Sequence, residues 1–138
     1  NHAASSFASG IIREPLNGQP AVCPVAPDVR LWLLSPRKVI ASLIHGCTLP
    51  AEAFGKSRTV NLPGISVTVA DMVAALERVA GKQVATRVEW VHDPAIDRII
   101  SSWPGAWDAS RATALGFAGD AGFDDIVRAY MEDDLPAA

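Results

Sequence analysis

Val29-Arg30-Leu31-Trp32-Leu33-Leu34 runs directly into Ser35-Pro36-Arg37-Lys38-Val39-Ile40, so a strand and a helix start stand within a dozen residues. The first six residues are β-branched, aromatic or aliphatic apart from Arg30, which predicts a strand over 29–34. Ser35 can cap a helix through its hydroxyl, and Pro36 at the first helical position gives up an N–H that would be unpaired anyway. Val39, Ile40, Leu43 and Ile44 then recur at helical spacing, which predicts one apolar face and a helix to about His45, with Gly46 as its stop. A strand that turns straight into a helix points to a mixed α/β domain.

The same punctuation continues in both directions. Upstream, Ser5 or Ser6 can cap a helix through Phe7, Ile11 and Ile12 that Pro15 should end. Ala21 to Val25 follows as a short strand, an edge because Pro24 interrupts it. Downstream, Arg58 to Leu62 reads as a strand, Pro63-Gly64 as a turn and Ile65 to Val67 as a further extended piece. Thr68 caps the clearest helix, with Met72, Val73, Leu76 and Val79 as its stripe, Asp71 in its first turn and Gly81 at its end. Val84 to Val91 alternates enough to be a strand. Asp93-Pro94 repeats the cap-plus-proline start, Asp108 caps a short helix ending at Gly116, and a last helix carries Phe123, Ile126, Val127, Tyr130 and Met131. No repeat or linker interrupts the 138 residues, which fit one domain over 1–138.

Composition excludes several classes of function. A formal charge of −3 and scattered basic residues offer no track for nucleic acid and no attraction to an anionic membrane. No apolar run approaches the ~20 residues that span a bilayer. The start, Asn-His-Ala-Ala-Ser-Ser, has no signal-peptide pattern and no initiator Met, which fits a cytoplasmic protein and a piece of a longer one. Cys23 and Cys47 read as two reduced, packed thiols, with a single disulfide as the alternative, and His45 near Cys47 falls short of the four ligands of a structural metal site.

The chemistry that is missing matters equally. There is no glycine-rich strand-to-helix turn and no phosphate loop, so the chain encodes no dinucleotide cradle. Tyr130, the single tyrosine, sits on an apolar stripe without a lysine four residues on, since position 134 is Asp. His2, His45 and His92 form no constellation, and Asp124-Asp125 and Asp133-Asp134 read as a solvated helix face. Three arginines stand out. Arg30 is a charge in an apolar strand, Arg37 is a cation at the wrong end of a helix dipole, and Arg98 precedes the segment Trp103 to Trp107. Each can serve an internal ion pair, or together they can grip an anion through forked hydrogen bonds.

The order of elements resembles the C-terminal half of the extended short-chain dehydrogenases/reductases, the group that includes sugar-nucleotide epimerases and dehydratases. Thr59-Val60-Asn61-Leu62-Pro63-Gly64 is similar to one of the group's segments. So are Ala80-Gly81-Lys82, Asp108-Ala109-Ser110-Arg111-Ala112 and Leu115-Gly116-Phe117. Asn1 to Phe7, Gly10 to Leu16 and Ser35-Pro36-Arg37 most resemble the group's sugar-acid dehydrogenases. The epimerases usually carry an acidic residue near the position of Arg37.

The resemblance implies a small mixed α/β substrate-binding domain lacking the Rossmann core, part of an NAD-dependent oxidoreductase that turns a hydroxyl of a sugar acid into a ketone. NAD would be bound by an N-terminal Rossmann half that also carries the catalytic Tyr-x-x-x-Lys, so no catalytic, cofactor-binding or metal residue is assigned here. The chain alone is expected to be inactive and, where the missing half would sit, to leave apolar surface open. Asn1, Arg30, Arg37 and Arg98 are the implied substrate contacts. The expected partners are that Rossmann domain and a small sugar-acid or nucleotide-sugar substrate, with homodimerisation left open. The substrate domain of a nucleotide-sugar epimerase is the nearest alternative, and a non-catalytic binding module is the alternative of another class.

Overall fold

Residues 4–135 of a computed structural model are organised around helix α3, Val69–Ala80, whose Met72, Ala75 and Leu76 are completely buried. Its start is doubly satisfied. The Thr68 hydroxyl accepts from the Asp71 N–H, and the N–H groups of Val69 and Ala70 donate to the carbonyls of Val29 and Pro27. Gly81 ends it at φ 91°, a conformation that glycine adopts without a Cβ clash. Around α3 lie α1 (Ser6–Leu16) and α7 (Phe123–Asp133), and Phe7, Ile11, Phe123 and Val127 join the same core. Burying these side chains is the main driving force of the fold.

The strands are short and fall into two separate pairs. β1 (Ala21–Cys23) runs parallel to β4 (Val88–Trp90), and β2 (Arg30–Leu33) runs antiparallel to β3 (Ile65–Thr68). Helices α2 (Pro36–Thr48), α4 (Lys82–Ala85), α5 (Pro94–Ser101) and α6 (Ser110–Ala114) complete the small mixed α/β domain, with a 3-10 turn at Ala51–Phe54.

Several sequence expectations need correcting. Pro15 lies inside the last turn of α1. A proline there removes a single ladder bond, and its fully buried ring offsets the loss. Gly46 does not stop α2, because it keeps helical geometry, with the Phe117 ring within ordinary contact distance of it. Arg58 to Leu62 is not a strand. The carbonyls of Phe54, Ser57 and Thr59 accept from the Arg111 guanidinium instead of joining a ladder. Residues 84–87 belong to a helical turn after Gly81, and only Val88–Trp90 pairs as a strand.

One contact fixes the corner where β2 becomes α2. Ser35 is fully buried, its hydroxyl accepts from the Lys38 N–H as a cap, and both its N–H and its hydroxyl donate to Asp120 at 2.8 Å. Arg37 then ties the first turn of α2 to the end of α7, and the His45 ring bonds the Leu115 carbonyl at 2.8 Å. Asp120→Ala should destabilise the chain by about 1–3 kcal/mol, since it orphans two donors of a buried residue. Urea unfolding checks this, and a midpoint equal to that of the parent chain would show that the corner is held by something else.

Candidate functional site

The alternation of β2 decides what faces where. Leu31 points into the core, while Arg30 is exposed and shares its side of the strand with Trp32. Arg30 is therefore not the buried charge that its apolar neighbours suggested. Its Nη1 donates to the Ser66 carbonyl at 3.2 Å and to the Ser66 hydroxyl at 3.4 Å. The Ser66 hydroxyl in turn donates to the Gly105 carbonyl at 2.6 Å. Gly105 lies flat against the Arg30 stem, where any Cβ would approach Arg30 Cβ and Cγ to about 3 Å. Arg30, Ser66 and Gly105 thus join β2, β3 and the tryptophan-bearing loop in one contact. No carboxylate touches the guanidinium, and the rest of its fork is open among the described residues.

Beside this contact lies a cleft of about 560 Å³, walled mainly by apolar and aromatic side chains that include Phe7, Trp32, Trp103, Trp107, Phe123 and Tyr130. The Trp32 indole stands over Gly64, where a side chain would collide with it, and its N–H donates to the Leu62 carbonyl at 3.4 Å. Tyr130 accepts a hydrogen bond from Asn17 at 2.9 Å. Arg30 is not among the lining residues; the cation that lines the cleft is Arg13, whose guanidinium meets Glu14 at 3.4 Å. An aromatic wall with a few polar groups suits a small molecule. The sequence pointed to the segment Trp103 to Trp107 but not to Ser66 or Gly105, whose part depends on the strand register that sets Ser66 opposite Trp32.

The other candidates are placed differently. Arg37 already has anions of its own within the chain. Its guanidinium grips Asp133 in a two-bond fork at 2.7 and 2.8 Å and reaches Glu132 at 2.9 Å, all on α7. The anion that its position at a helix N-terminus called for is supplied by the chain itself, and the pair holds the Asp133 carboxyl below its ordinary range. Arg98 is exposed near the end of α5, with no hydrogen bond or ion pair among the described residues. Asn1 lies outside the described residues.

His92 pairs with Asp97 at 3.2 Å, and this contact leads the lowering of the Asp97 carboxyl, with the Ala26 N–H adding to it. Asp124 pairs with Arg78 and Arg128, and Asp125 with Arg128, so these carboxylates serve helix contacts. Both cysteines are free, but only Cys23 is packed, since Cys47 is exposed. No group of three metal-ligating side chains occurs among the described residues, and none of their helices is long and apolar enough to cross a membrane.

NAD does not fit the three strand-to-helix junctions among the described residues; at that of α5 the Asp93 carboxylate already accepts from the Ala95 and Ile96 N–H groups. The N-terminus of α2 already holds the Asp120 carboxylate, and that of α3 holds Thr68 and Asp71, so none offers free N–H groups to a pyrophosphate.

No family model matches the chain. It is 59% identical over 133 residues to a D-erythronate dehydrogenase of Cupriavidus necator, covering 96% of this chain and 41% of that protein. It is 44% identical over 135 residues to a D-erythronate dehydrogenase of Haemophilus influenzae, covering 98% of this chain and 43% of that one. A solved nucleoside-diphosphate-sugar epimerase from Agrobacterium tumefaciens superposes with a TM-score of 0.94 at 39% identity, covering 97% of this chain and 39% of that one. A GalE-like L-threonine dehydrogenase from Cupriavidus necator, at 23% identity and a TM-score of 0.80, shares the fold. The chain therefore spans about two fifths of the length of the curated relatives it matches.

Arg37→Ala should leave the Michaelis constant of the full-length enzyme for its substrate unchanged, because that side chain is spent on α7. Its tether should also loosen on acidification. The folded Asp133 carboxyl titrates below its unfolded value, so the pair contributes above the ordinary carboxylate range and is lost as pH falls through the lowered value. Steady-state kinetics check the first point, and a raised Michaelis constant would return Arg37 to the site.

Proposed function

We propose, for a chain that belongs to the epimerase/dehydratase group of extended short-chain dehydrogenases/reductases, that it forms the substrate-side part of an NAD-dependent dehydrogenase of a small sugar acid such as D-erythronate. The observation that carries this reading is the 59% and 44% identity to two D-erythronate dehydrogenases along almost the whole chain. Such identity over an entire substrate side supports a shared substrate class more strongly than a shared fold does. NAD and the hydride chemistry belong to residues outside those described, and this part of the protein binds and orients the acid.

Within that reading, Arg30 takes the carboxylate. Its stem is fixed by Gly105 and one nitrogen by Ser66, which leaves a pre-positioned fork toward the tryptophan side of the strand. The apolar wall receives the carbon face of the substrate and keeps water from it. Arg98 is the second cation assigned to the substrate, and Asn1 remains assigned by resemblance.

A second reading has its own observation. The superposition on the nucleoside-diphosphate-sugar epimerase is close, and in that case the same cations would meet a diphosphate. In the full-length enzyme, Arg30→Lys keeps the charge but loses the fork. The Michaelis constant for the sugar acid should rise about tenfold or more while that for NAD stays put, the loss of one charge-assisted hydrogen bond. Initial-rate kinetics measure both, and unchanged constants for the acid would remove Arg30 from the site.

A further inference from the structure

Trp32 is a wall shared by two hollows. It lines the cleft of about 560 Å³ and also a second hollow of about 330 Å³, whose other lining residues include Val39, Val60, Leu62 and the exposed Asn61. Leu33, Leu34 and Trp107 line both as well. Trp32 is the largest of the four whose position is fixed by the fold. Its backbone sits in the β2–β3 ladder opposite Ser66, and its indole N–H donates to the Leu62 carbonyl at 3.4 Å. Trp107, by contrast, stands on a loop and is 49% exposed.

The indole also rests on bare backbone. A side chain at Gly64 would bring its Cβ to 2.7 Å from Trp32 Nε1 and 2.8 Å from Cε2, so the ring occupies space that only a glycine leaves free. Moving it out of the cleft costs both the Leu62 hydrogen bond and this packing. We propose that Trp32 sets the length of substrate that the site accepts. Its indole closes the cleft behind a four-carbon acid such as D-erythronate, and a longer carbon chain meets the ring before it reaches the second hollow. This deepens the sugar-acid reading above and rests on it. A fixed obstacle discriminates by clash, and one carbon more or less in an apolar pocket is worth roughly 10–200-fold in kcat/KM. Once opened, the second hollow has aliphatic walls for the extra carbons and the Asn61 amide for their hydroxyls.

The test is steady-state kinetics of the full-length enzyme with D-erythronate and with the six-carbon acid D-gluconate, NAD being in excess. The parent enzyme should favour the shorter acid by about tenfold or more in kcat/KM. In Trp32→Ala that preference should shrink by about tenfold or more, because the shared wall is gone. A merely structural role would weaken turnover of both acids alike and leave their ratio in place, which would overturn the proposal. A parent enzyme that takes both acids equally well would overturn it too.

Two milder variants carry the test if alanine costs the fold. Trp32→Leu should relax the ratio in the same direction as alanine. Trp32→Phe keeps a ring in the wall and should hold the ratio within about threefold of the parent enzyme. A phenylalanine variant as permissive as the leucine one would show that the ring is not the barrier and would sink the proposal. The two readings fail differently. A parent enzyme that oxidises neither acid faults the substrate class and takes this inference with it. An enzyme that oxidises D-erythronate and keeps its preference in Trp32→Ala and Trp32→Leu faults the role of Trp32 alone.

Discussion

Ser35 is buried, and its N–H and hydroxyl both donate to one carboxylate, that of Asp120, eighty-five residues away. This contact sets the corner at which the chain leaves β2 and enters α2. On one side of the corner it holds the strand whose alternation sends Leu31 into the core and Arg30 outward. On the other it holds a helix whose apolar stripe points away from the core. A half-buried carboxylate is costly unless its oxygens are occupied, and here each accepts a 2.8 Å bond, so the corner is fixed by satisfied chemistry.

Much of the fold was legible because helix starts are local. Ser35-Pro36, Thr68 and Asp93-Pro94 each place a side-chain acceptor within three residues of the donor it serves, and all three cap helices in the structure. Helix and strand ends were less legible because they depend on distant partners. Gly46 continues a helix since Phe117 packs on it, and Arg58 to Leu62 stays irregular since Arg111 collects the nearby carbonyls. The apolar face of α2 was read correctly as a stripe, but periodicity says only that a face is apolar, and not whether its cover lies within the same chain.

The site divides in the same way. Sequence singled out Arg30, Arg37 and Arg98 as charges needing anions, and that need is real for a cation in an apolar strand or at a helix N-terminus. What answers the need is tertiary. Arg37 finds Asp133 and Glu132 on the last helix, ninety-odd residues on, while Arg30 hydrogen-bonds Ser66 and feels the Asp71 carboxylate only through space. The difference between a spent and an available guanidinium lies in packing that no local pattern encodes. Ser66 and Gly105 carried no signal of their own, because a serine in a strand and a glycine in a loop acquire a role only through the register that brings them to Arg30.

The central claim is that this chain shapes a site for a small sugar acid rather than for a sugar nucleotide. An apolar, tryptophan-walled cleft supports a small molecule, and the identity to two D-erythronate dehydrogenases supports the acid. The most direct measurement is the initial rate of NADH formation by the full-length enzyme with D-erythronate, set beside its turnover of UDP-glucose under the same conditions. The account predicts NAD-dependent oxidation of the acid and no conversion of the nucleotide sugar. Epimerisation of UDP-glucose without net NADH, and no reaction with D-erythronate, would contradict it.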